Sequence, residues 1–279
     1  MIDPGEAGKS SDFINDSERD ATPANDAGRV PKLEDDAKLS MSFLHPAKYE
    51  IFTGDGTFTP DARAKFVEVE MWGAGGDGGY YNGSSSYICE DAGGGGGAYN
   101  KKRFLITDLT NTVEVIVGQG SGATSSFGTY LYAYGGGQGG RTGSNGTCIR
   151  AGGGGQLSAG GSAHASLSSN QISAGLPIAG VGDGGNSTGA SRHGIWGGGA
   201  GGEGTDGGNS LYGGGGGGGS SNLGGLSVFG GNGGNGARNG IAQNGAIPGG
   251  GGGFGRGSTN SPASMGYGAR GEVRITTFY

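Results

Sequence analysis

The chain has 279 residues, 74 of them glycine and 8 proline, with 32% hydrophobic residues and a net charge of −6. The acidic balance argues against sequence-blind nucleic-acid binding, which needs a basic face. The low apolar content argues against one core spread over the whole chain, and no apolar run approaches the ~20 residues of a membrane span.

Residues 1–47 are charged and nearly free of glycine, with isolated apolar residues (Phe13, Ile14, Val30, Leu33, Leu39, Phe43) at no helical or heptad spacing. They read as an extended N-terminal arm needing a partner surface, or as a solvated tail. The first residues, MIDPGEAGKSSDF, are polar and acidic. They do not resemble a secretory signal, so the protein is expected to be made in the cytoplasm and to reach the outside by a route such as lysis.

From residue 48 the pattern becomes β. Ile51–Phe58 has apolar residues on either side of a GDG turn. Phe66–Trp72 alternates, with Val67, Val69 and Met71 on one face and Glu68 and Glu70 on the other. Strands follow within 98–134, and GEVRITTFY closes the chain with Val273, Ile275 and Thr277 alternating. These segments are rich in β-branched and aromatic residues. The expected fold is therefore all-β: an antiparallel β-sandwich built from 48–72, 98–134 and 267–279.

The glycine sits in tracts in 73–97 and 135–266, separated by segments of about ten residues; LYGGGGGGGSS at 211–221 holds the longest. A flexible linker has no reason to carry Trp196, Phe229 and Phe254 between tracts. Collagen needs glycine at every third position. The remaining reading is a bundle of polyglycine II helices inserted in the sandwich. An extended helix with three residues per turn has no internal hydrogen bonds, so each buried N–H and C=O must pair with a neighbouring helix. A Cβ in the interior would push the helices apart.

FTGDGTFTPDARAKFVEVEMWGAGGDGG, GGGGGAY, VEVIVGQGSG, SSFG and GYGARGEVRITTFY, in this order, resemble the glycine-rich receptor-binding tip domain of bacteriophage and prophage tail fibres, over about 50–279. The architecture is similar to that of T-even-type phage adhesins. The resemblance implies a virion protein for host attachment: a tip domain, 48–279, that recognises a bacterial surface receptor, either a glycan or an outer-membrane protein. It implies that 1–47 attaches to other virion or fibre proteins. Both a homotrimer and a single-chain bundle fit it. The alternative is a structural head-fibre, decoration or spacer protein without a specific receptor.

Chemical motifs are few. Gly185–Gly189 spells G-x-S-x-G without the strand and helix of a nucleophile elbow. His45, His164 and His193 have no metal-ligand spacing, and G-x-G-x-x-G matches come by chance in this composition. No enzyme activity, cofactor, metal, nucleic acid or membrane insertion is expected. Cys89 and Cys148 each stand four residues before a tract, which makes them a candidate disulfide. If tracts alternate outward and back, loops 80–92, 141–151, 186–196, 220–229 and 254–265 lie at the far end, and 156–179, 203–212 and 237–248 at the near end. The far set supplies the candidate receptor-binding residues: Tyr80, Tyr81, Tyr87, Ile88, Arg141, Ile149 and Arg150, then Arg192, His193, Ile195, Trp196, Leu223, Phe229, Phe254 and Arg256. Aromatics and arginines of this kind are typical binding anchors. Trp196 and Tyr81 are the leading candidates.

Overall fold

Strict alternation over Phe66–Trp72 makes that segment a strand with one buried face. In the computed structural model it is β3, and Val67, Val69 and Met71 are fully buried. The structure describes residues 47–82, 92–140, 151–162, 193–202, 204–257 and 264–279. Elements in chain order are β1 (Lys48–Phe52), β2 (Gly56–Phe58), β3 (Phe66–Trp72), β4 (Tyr80–Asn82), β5 (Tyr99–Leu105), β6 (Val113–Ile116), β7 (Ser125–Phe127), β8 (Leu131–Ala133), β9 (Ala237–Arg238), β10 (Gly255–Gly257) and β11 (Glu272–Phe278). Among the described residues the only helical element is a 3-10 turn at Ile106–Asp108.

Two four-stranded sheets, ordered β1-β11-β3-β5 and β2-β6-β7-β8, enclose one apolar core. β3 and β5 run antiparallel with Val67 opposite Phe104 and Trp72 opposite Tyr99, and β2, β6, β7 and β8 pair antiparallel in turn. Phe58, Val69, Val115, Phe127 and Ile275 meet in the core, all at most 1% exposed. The protein is thus an all-β antiparallel sandwich. The GDG turn between β1 and β2 is fixed by Asp55, whose carboxylate accepts from the Val117 N–H at 2.9 Å.

The glycine tracts start where the strands end. The Gly73 N–H donates to the Ala98 carbonyl and Ala98 N–H to that of Tyr134, both at 2.9 Å. From this proximal end the hydrogen bonds run with a period of three. In 73–79, the N–H groups of Gly73, Gly76 and Gly79 go to Ala98, Gly95 and Ala92, and those of Gly75 and Gly78 to Ala269 and Gly266. The carbonyls of Ala74 and Asp77 accept from Gly136 and Gly139. Successive residues therefore face three different neighbours, the period expected of an extended three-fold helix.

The tract 92–98 shows the arrangement in full. It donates to three neighbours: Gly93 and Gly96 to Gly202 and Gly199, Gly94 and Gly97 to Gly252 and Gly249, and Gly95 to Gly137. It accepts from three others: 73–79, the segment of Gly214 and Gly217, and Gly154. Six neighbours leave no room for side chains. A Cβ on Gly95 would stand 2.1 Å from the Gly152 oxygen, and one on Gly96 2.0 Å from that of Gly214. This answers why the chain carries so much glycine: the ordering cost is offset by inter-tract hydrogen bonds that only bare backbones can approach closely enough to make.

The expectation that no Cβ fits inside is too strict. Ala74, Ala98 and Ala200 are 0–1% exposed within tracts. The N–H of Ala74 and that of Ala98 bond to Ala123 and Tyr134, which belong to the sandwich, so at this junction a neighbour is a turn or strand instead of another glycine tract. Ala200 shows that single methyl groups are also accommodated further out.

Candidate binding surfaces at the two ends of the bundle

Following the hydrogen-bond ladder fixes which end each turn occupies. The Tyr99 N–H donates to the Trp196 carbonyl at 2.9 Å, Gly96 to Gly199 and Gly93 to Gly202. Trp196 therefore stands at the proximal end, beside the sandwich, and Gly202 at the distal end. The next pass returns through Gly207 and Gly208 to Leu211 and Tyr212; the following one leaves through 213–219 and comes back through Gly225 to Val228 and Phe229.

This corrects the simple alternation. His193, Ile195, Trp196 and Phe229, expected at the far end, belong to proximal turns. Loops 204–212 and 220–229 each hold a complete pass, so both ends of the bundle are represented in each. Ile241, expected at the near end, is distal, paired in a parallel bridge with Ser264. The physical reason is that residues at the margin of the bundle have a free side. Passes there, such as Gln243–Ala246 bonded to Asn235 and Asn232, need no run of glycines. Phe254 is also corrected: it is 2% exposed, set in a pass with its N–H on the Gly218 carbonyl, and offers no surface for a partner.

At the distal end, β4, β10 and β9 form a small parallel sheet with Gly255 opposite both Tyr80 and Ala237. Tyr80, Leu223 and Ile241 are 41%, 61% and 76% exposed there, and Arg256 is half-buried on β10. Tyr81 lies on β4, opposite Arg256. Tyr87, Ile88, Arg141, Ile149, Arg150 and Arg192, and the candidate disulfide of Cys89 and Cys148, lie outside the described residues.

At the proximal end the three turns repeat one pattern: GIWGGG, SLYGGG and SVFGGN, with Trp196, Tyr212 and Phe229 at spacings of 16 and 17 residues. Parallel bridges link Gly194 to Ser210 and Ser210 to Ser227, so equivalent residues stack. The rings of Trp196 and Tyr212 stack at 4.3 Å between centroids and those of Tyr212 and Phe229 at 4.9 Å. The ring of Tyr99 from β5 stacks on Tyr212 at 5.4 Å and packs against Trp72. Trp72 Nε1 donates to the Tyr212 carbonyl at 2.7 Å, tying the sandwich to the bundle. Ser210 and Ser227 each donate from Oγ to a tract carbonyl, Gly197 at 2.7 Å and Gly213 at 2.6 Å.

These rings form one wall of a groove of about 430 Å3, whose other side is the outer face of the sheet, carrying Glu70, Lys101 and Arg274. Glu70 accepts from the Tyr99 hydroxyl at 2.7 Å. Burial, and then that hydrogen bond to a carboxylate, push the Tyr99 phenol far above its usual range, so it remains a donor. Lys101 Nζ lies 2.7 Å from Glu68 and 3.5 Å from Glu70. Its hydrogen bond holds the Glu68 carboxyl below its ordinary range, and the same pairing raises Lys101. The Arg274 guanidinium lies over the Trp72 ring at 4.6 Å and bonds Glu272 at 2.8 Å. Sequence reasoning singled out Trp196 and Phe229 but not Tyr212, Tyr99 or the charged floor. The threefold recurrence of aliphatic, aromatic and glycine pair was the available signal. Among the described residues no group of three or more His, Cys, Asp or Glu could hold a metal ion.

A family model described as a glycine-rich domain matches residues 52–278 of the chain. No curated protein matches it.

Proposed function

We propose that this chain, which belongs to the glycine-rich domain family by that match, is the receptor-binding tip of a bacteriophage fibre, an adhesin that attaches the virion to a bacterial surface. The observation that carries the reading is the division of labour in the bundle. Backbone hydrogen bonds on all sides make the passes rigid, while the turns at the distal end are free to carry Tyr80, Leu223 and Ile241 outward. Rigidly held, exposed apolar side chains bind at low entropic cost. Loops on such a scaffold change without disturbing the fold. In this reading residues 1–47 join the domain to the rest of the fibre.

The test is adsorption of the purified, labelled full chain to a panel of bacterial strains. Binding to a subset of strains is expected, lost in the Leu223→Asp/Ile241→Asp double variant at an unchanged unfolding midpoint. Both residues are exposed, so their replacement leaves the bundle intact. No adsorption to any strain, or adsorption indifferent to both substitutions, favours a spacer or decoration protein instead.

A further inference from the structure

The groove at the proximal end is far from the distal surface and independent of its role. We propose that it is a second binding site, for a pyranose-containing oligosaccharide. Its two sides differ in chemistry. One is the ring ladder of the bundle, ending in Phe229, a large aromatic that stays 54% exposed. Among the described residues, the only ring stacked on Phe229 is that of Tyr212. The other side is the sheet face, where Lys101 and Arg274 offer donors and Glu70 an acceptor.

A pyranose has the same asymmetry: a face of C–H groups that packs on an aromatic ring, and a rim of hydroxyls that donate and accept hydrogen bonds. A lipid or apolar peptide would leave the charged floor unmatched, and burying those groups without partners is costly. A small anion would leave the rings unused. The groove's volume of about 430 Å3 falls in the range of ligand sites lined by aromatics with a few placed polar groups. Both ends of the ladder are anchored, by Trp72 Nε1 on Tyr212 and by Tyr99 on Glu70, so the platform is formed before any ligand arrives.

The protein carries its own probe. Its 2 tryptophans are Trp72 and Trp196, and both line the groove, so intrinsic fluorescence reports its occupancy. The full chain is titrated with cellotetraose, chitotetraose and tetragalacturonate. At least one is expected to give a saturable change in emission with a midpoint below about 1 mM, within the range of weak specific ligands. Phe229→Ala and Lys101→Met should each raise that midpoint at least tenfold. Tyr49→Ala, at an exposed aromatic of β1 that does not line the groove, should leave it unchanged. Absence of saturation with all three saccharides overturns the proposal. So does a midpoint indifferent to both groove substitutions while their unfolding curves match the parent chain.

Discussion

Substituting Gly216 by alanine tests the packing of the bundle at its most enclosed point. The new Cβ would lie 2.0 Å from the Ala200 carbonyl oxygen and 2.5 Å from its carbon, where ordinary contact begins at 3.4 Å. The neighbouring pass 197–202 must therefore retreat by about 1.4 Å. That pass is bonded to the Gly216 tract through Gly199 to Gly214 at 2.9 Å and Gly202 to Gly217 at 2.8 Å. Both bonds would stretch well past the ~3.2 Å limit for N–H···O geometry. Each stranded buried donor costs about 1–3 kcal/mol, so the variant should lose about 2–6 kcal/mol, a large share of a typical ~5–15 kcal/mol. Gly240 supplies the control, since a Cβ there meets nothing within 4 Å. Gly240→Ala should be neutral within ~0.5 kcal/mol, or slightly stabilising through the lower entropy of its unfolded chain. Urea unfolding of the full chain, followed by tryptophan fluorescence and far-UV circular dichroism, measures both. Equal midpoints for the two variants would refute the idea that the tracts are close-packed.

Two further outcomes follow from side chains that complete the backbone pairing. Asn235 Oδ1 accepts from the Gly224 N–H at 2.8 Å, so Asn235→Ala leaves that donor bare and should lower stability by about 1–3 kcal/mol, with faster hydrogen exchange at Gly224. Glu68 is paired with Lys101 and Arg103 on the sheet surface, so Glu68→Gln should cost only about 0.5–1 kcal/mol at neutral pH. Because pairing lowers the Glu68 carboxyl in the folded state, its contribution is complete above the unfolded carboxylate range, near ~4.3. It disappears as pH falls through the lower folded value. The gap between parent and variant in unfolding midpoint should close on acidification; a gap that stays constant down to pH 2 would contradict the pairing.

The sandwich was readable because its strands obey the two-residue alternation of a half-buried sheet. Val67, Val69 and Met71, and later Val273 and Ile275, announce their faces. The bundle was readable in kind but not in route. A pass through its interior must be glycine, as in Gly213–Gly219, and composition marks it. A pass along its margin tolerates Asn, Leu or Gln on the free side, as in Gln243–Ala246, and looks like a loop. Each such hidden pass exchanges the ends of everything after it, which is why Trp196 and Ile241 sit opposite to their expected positions. The groove was not readable for a different reason: it joins β3, β5 and β11 to three turns separated from them by long stretches of sequence.

The tracts also pair without regard to direction. Gly94 and Gly97 bond to Gly252 and Gly249 with the chains running opposite ways, at 2.8 Å each; Gly251 and Phe254 bond to Gly215 and Gly218 with the chains running the same way, at 2.9 and 3.0 Å. A β-sheet distinguishes these cases by hydrogen-bond pattern and connection length. Here a bare three-fold rod presents equivalent donors and acceptors whichever way it points, and no side chains fix its register. An out-and-back pair of passes, with the turn it carries, can thus be inserted, deleted or exchanged as a unit, and the neighbours close around it with the same contacts. A scaffold of this kind lets the number and content of its turns diversify by recombination while its interior sequence stays monotonous.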